Sequence, residues 1–90
     1  MPPSNMHEFV RYLAVDAGIP ERRRPYYLSW VHRFLTKHPD VPVVGRPSAL
    51  ADYRAELTSR FESWQVAQAL QAVRHYWHFS DRARKLQTLP

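Results

Sequence analysis

The stretch 63-SWQVAQALQAVRHYWHF-79 decides the fold. Val66, Ala69, Leu70, Val73 and Trp77 recur at the i, i+3, i+4, i+7 spacing that gathers side chains on one face of a helix. Ser63 stands before that stripe as a candidate N-cap. Opposite the stripe fall Gln68, Gln71 and His75, with Gln65 at its edge near the N-terminus. One face reads as core and the other as a polar working surface.

Working outward, the same period recurs three times upstream, and no segment reads convincingly as a strand. Met6, Phe9, Val10, Leu13, Ala14 and Ala17 define a first helix. Ser4 or Asn5 can start it, with Glu8 completing a capping-box-like pair with Asn5. Gly18 ends it in the left-handed conformation, and Pro20 blocks continuation. A second helix starts at Arg24, with Pro25 at its first position, and runs to Lys37. Tyr27, Trp30, Val31, Phe34 and Leu35 form its apolar stripe; Ser29, His32, Arg33 and Thr36 fall on the other side. His38 to Pro47 reads as a Pro-rich loop. A third helix spans about Ser48 to Arg60, capped by Ser48, with Leu50, Tyr53 and Leu57 inward. After Phe79 the polar run Asp81, Arg82, Arg84 and Lys85 reads as a frayed tail or linker.

Ninety residues suffice for one small domain. Such a domain buries only about 60% of its unfolded surface, so its core must be aromatic-rich or helically compact. Three Trp, five Tyr and four Phe meet that demand, while two Gly are too few for a turn-rich β-sandwich. The absence of Cys excludes disulfides and thiolate metal sites. No apolar run approaches the roughly 18–20 residues of a membrane span, and the N-terminus lacks a signal-peptide pattern. The expectation is a soluble, cytoplasmic protein.

Catalytic constellations are absent. His75 and His78 share a helix three residues apart, but no third ligand is implied, and ordinary exposed or packed roles account for them. His7, His32 and His38 each stand alone. No Ser lies in a Gly-flanked nucleophile turn, no carboxylates are paired, and Gly18 and Gly45 cannot form a phosphate-binding loop. No metal, cofactor or stand-alone enzymatic activity is expected.

The charge is more informative. A net charge of +5 favours anionic partners. Arg22, Arg23 and Arg24 crowd the start of the second helix, where cations oppose the macrodipole, and Arg33 and Lys37 extend along it; these five are the candidate phosphate ligands on DNA. Gln side chains pair bidentately with adenine in the major groove, and helix N-termini favour phosphate.

In order and spacing, 26-YYLSWVHRFLTKHP-39, a Pro-containing loop, 50-LADYRAEL-57 and the opening stretch together resemble the N-terminal core-binding domain of tyrosine recombinases. The phage and integron integrase branch is the most similar, over residues 20–80. The resemblance implies a four-helix, SAM-like all-α bundle gripping one face of double-stranded DNA. It implies that catalysis belongs to a separate C-terminal domain, with residues 81–90 starting the linker and 1–19 forming an extra helix that can pack on the bundle or contact other protomers. It also implies a DNA face made of Arg22, Arg23, Arg24 and Arg33, then Ser63, Gln65, Gln68, Gln71 and His75. The chain departs from the family at Arg23, Arg24 and Pro25, where Thr and Ser are common. The alternative expectation is a helical protein-interaction module without nucleic-acid binding, based on Trp64, Tyr26 and the first helix.

Overall fold

The computed structural model describes residues 5–87, with side chains described for 6–85. Four helices follow one another: α1 (Asn5–Val15), α2 (Arg24–Lys37), α3 (Arg46–Thr58) and α4 (Ser63–Gln87). Among the described residues there is no strand. The all-α four-helix architecture expected from the hydrophobic period is present.

The local signals explain most of the boundaries. Gly18 takes φ +65°, and a Cβ there would meet nothing within 4 Å, so the demand on this position is conformational rather than steric. The Ile19 N–H returns to the Leu13 carbonyl at 2.8 Å, closing α1 and directing Ile19 into the core. A 3-10 turn, Glu21–Arg23, then leads into α2, with Pro25 in its first turn as expected.

Two capping expectations are corrected. α3 begins at Arg46, two residues before Ser48, with Pro47 in its first turn and no side-chain cap. A second 3-10 turn, Val43–Gly45, runs directly into it and supplies the preceding coil. Ser63 is likewise the first residue of α4 rather than its cap. The expected Ser4 or Asn5 cap falls outside the described residues and side chains.

The core is one cluster. Phe9, Leu13, Val31, Phe34, Leu57, Ala69, Ala72 and Val73 have no exposed surface. α4 is the central element. Its Gln71 and Gln68 meet Tyr27 and Trp30 of α2 in reverse order, so α2 and α4 run antiparallel. α3 and α4 form an antiparallel hairpin, in which Arg46 at the start of α3 reaches Asp81 far along α4. α1 packs against α4 through Phe9, whose ring meets Tyr76 edge-on at 5.4 Å and lies 5.4 Å from Phe79. The first helix therefore packs on the bundle and shares its core.

The expected tail is also revised. Residues 81–87 continue α4, while 88–90 fall outside the described residues. Asp81 holds Arg46 through two 2.8 Å bonds, and Arg82 donates to Asp16 at 2.8 Å. Those contacts to α3 and to the end of α1 anchor a polar stretch that has no apolar stripe of its own.

Candidate nucleic-acid interface

The buried face of α4 is wider than the Val66–Trp77 stripe and rotated toward Ala72, Tyr76 and Phe79. Ala72 and Phe79 are buried, whereas Leu70 and Trp77 are only half-buried. This rotation decides the fate of the polar residues. Gln68 and His75, expected on the outer face, lie on the flank covered by α2 and α1.

Gln68 accepts a hydrogen bond from the Trp30 indole N–H at 3.0 Å. That pairing satisfies the polar edge of a buried ring, and it turns toward Trp30 the amide oxygen that bidentate adenine recognition would use. The neighbouring Gln71 is exposed, and its Oε1 receives the Tyr27 hydroxyl at 3.5 Å, the outer limit of a hydrogen bond. His75 sits between the rings of Tyr12 and Tyr27, each 6.2 Å away. Its Nε2 is buried and has no hydrogen-bond partner among the described residues. Burial, then the charge of His78, lowers its pKa, so the neutral ring suits this pocket.

Gln65 is a capping residue. Its Oε1 accepts from the Glu62 N–H at 2.9 Å, while the Glu62 carbonyl accepts from the Gln65 and Val66 N–H groups. This is the returning half of a capping box, with Glu62 at the N-cap. Ser63 is exposed beside it.

The cations divide into engaged and unengaged groups. Lys37 contacts Glu56 at 2.9 Å, and Arg33 contacts the same carboxylate at 3.8 Å while covering the Phe61 ring at 5.0 Å. These bonds lower the Glu56 pKa, chiefly through Lys37. Both expected phosphate ligands thus tie α2 to α3. Arg24 donates through Nε to the Ile19 carbonyl at 2.9 Å, fastening the turn between α1 and α2.

Arg22 and Arg23 differ. Both are exposed, and neither side chain has a hydrogen bond or ion pair among the described residues. The antiparallel pairing places them one turn beyond Tyr27, at the level of His75 and the exposed His78. Arg54 and Arg74 are likewise exposed and without an ion pair among the described residues. They escaped the sequence reading, although helical registration from Gln71 puts Arg74 and His78 on the same outer line.

Among the described residues no three His, Asp or Glu side chains converge as a metal site. No described helix is long and apolar enough to cross a membrane. Comparison with protein-family models, curated proteins and solved structures finds no match.

Proposed function

We propose that this chain is a helical module that binds double-stranded DNA through its phosphates. In this reading it positions a separate C-terminal catalytic domain of an integrase-type recombinase, as the sequence resemblance implies. The supporting observation is the pair Arg22 and Arg23. They sit at the positive end of α2, where the macrodipole disfavours cations, and no acidic side chain among the described residues neutralises them. Arg24, Arg33 and Lys37, by contrast, have structural partners. An anionic ligand would relieve the repulsion that remains.

The geometry alters the recognition expected from sequence. Gln65, Gln68 and His75 serve the fold, so binding is directed mainly at the DNA backbone. Gln71 and Ser63 remain exposed for direct contacts. Such a module would bind many sequences, with strong salt dependence.

The test is a salt titration of duplex binding by the full 90-residue chain. Each neutralised phosphate adds about 0.9 to the log–log salt slope, so the double variant Arg22→Ala/Arg23→Ala should lower it by about 1.8. An unchanged slope would remove both residues from the interface. No binding by the unsubstituted chain at low salt would remove the function.

A further inference from the structure

The α3–α4 hairpin leaves a groove on the side of the molecule away from α1. Two hollows, of about 860 and 570 Å³, share Arg54, Thr58, Leu70 and Arg74 and so run into one another. The floor is mostly aliphatic, made of Leu50, Leu70 and the small side chains of Ala51, Ala55 and Ala67, with Phe61 at one end and Trp77 at the other. Three guanidinium groups border it, and no Asp or Glu does. Arg46 is neutralised by Asp81 and stacked over Trp77 at 4.9 Å. Arg54 and Arg74 have no such partner among the described residues.

We propose that this groove docks an acidic amphipathic helix from another protein, with its apolar ridge on the alanine-lined floor and its carboxylates on Arg54 and Arg74. Small residues let a third helix approach two others closely, and ridges pack into the groove between them. α3 has 13 residues, so at about 1.5 Å per residue the groove wall is about 20 Å long, matching a partner of three to four turns. The charge border selects the sign of that partner.

The surface also disfavours the other occupants. A second copy of this chain carries the same +5 charge and would be repelled. A nucleic acid would use the two arginines, but the two rings in the lining, Phe61 and Trp77, are already covered by Arg33 and Arg46, which leaves bases little aromatic face on which to stack. The groove lining includes neither Arg22 nor Arg23, so its role is tested independently of DNA binding through that pair.

The experiment uses the isotope-labelled full chain and a synthetic amphipathic peptide of about 15 residues, long enough to span the groove, with a Leu stripe flanked by Glu. Amide shifts should concentrate at Ala51, Ala55, Ala67 and Leu70. The exposed-site double variant Arg54→Glu/Arg74→Glu should weaken binding about tenfold or more by replacing two attractions with two repulsions. Ala55→Lys, which fills the floor while keeping positive charge, should also weaken binding. The Arg22→Ala/Arg23→Ala variant should bind the peptide unchanged. Equal affinity for a peptide carrying Lys in place of Glu would overturn the proposal, as would shifts on α1 and α2 instead. Displacement of the peptide by a short duplex that shifts the same amides would assign the groove to nucleic acid. Should the double arginine variant fail to fold, judged by circular dichroism, Ala55→Lys and the Lys peptide still decide the matter.

Discussion

The Tyr53 hydroxyl donates to the main-chain carbonyl of Trp30 at 2.8 Å, inside the bundle. This bond links the middle of α3 to the middle of α2. Tyr53 is 1% exposed, and its phenol pKa is pushed up to about 12, chiefly by burial. The proton therefore stays in place across the ordinary pH range. Tyr53→Phe keeps the ring contact with Phe34 and removes only the donor. It should lower stability by about 1 kcal/mol, the usual net value of such a bond. Urea unfolding measures this, and an unchanged midpoint would show that the bond contributes nothing net.

Gln68 offers a direct contrast between a structural and a base-reading role. Its bond to the Trp30 indole predicts that Gln68→Ala costs about 1 kcal/mol of stability by leaving that N–H without its partner. Binding to a panel of duplexes should keep the same rank order. A changed rank order with unchanged stability would restore Gln68 to base recognition.

The Glu56 pair makes a similar contrast among the cations. Lys37→Ala removes a partly exposed ion pair, worth at most about 1 kcal/mol. It should leave the salt slope of duplex binding nearly unchanged. A fall in slope as large as that for Arg23→Ala would mean that Lys37 leaves Glu56 to contact DNA.

Phe9 tests whether α1 belongs to the bundle. Its fully buried ring touches the rings of Tyr12, Tyr76 and Phe79. Phe9→Ala should cost about 3–5 kcal/mol through lost burial and a residual cavity. A domain stable by only about 5–15 kcal/mol would be brought near unfolding at the lower end of that range. A change in thermal midpoint of only a degree or two would return α1 to the status of an accessory helix.

Acid should destabilise the fold in two stages. The His75 pKa is lowered, so its contribution is full above the ordinary value of 6.5 and is lost as pH falls from there through the lowered folded value. Asp81 is lowered from 3.8, first by its hydrogen bond from Arg46, so its contribution is lost only at more acidic pH. His75→Gln should flatten the first stage of a stability–pH profile, and Asp81→Asn should reduce the second, which the lowered Glu56 carboxyl shares. A single acid transition below pH 4, identical in His75→Gln, would exclude His75 as the source of the first stage.

The helices were legible because their signals are local. Gly18, Pro20 and Pro25 mark the first junction without reference to the rest of the chain, and the α2 stripe from Tyr27 to Phe34 is buried as its spacing requires. Ser48 and Ser63 misled because a hydroxyl near a helix start is only one way to begin it. At α3 a preceding 3-10 turn sets the start, and at α4 the Gln65 side chain returns to Glu62. The continuation of α4 beyond Phe79 was not legible, because 81–87 has no apolar period; its contacts are ion pairs with residues distant in sequence.

The sequence by itself determined four helices, their approximate limits, an aromatic core and an excess of positive charge. These follow from period, turn chemistry and composition, which are properties of neighbouring residues. Tertiary structure alone decided which polar side chains face solvent. Three helices crowd α4, and its small Ala72 and large Phe79 turn its buried face away from the simple stripe. Gln68 and His75 are thereby drawn into the flank, and Glu56 captures Lys37 and Arg33. Arg22, Arg23, Arg54 and Arg74 are left exposed because no described carboxylate comes within reach of them, a matter of distance in space that spacing along the chain does not encode.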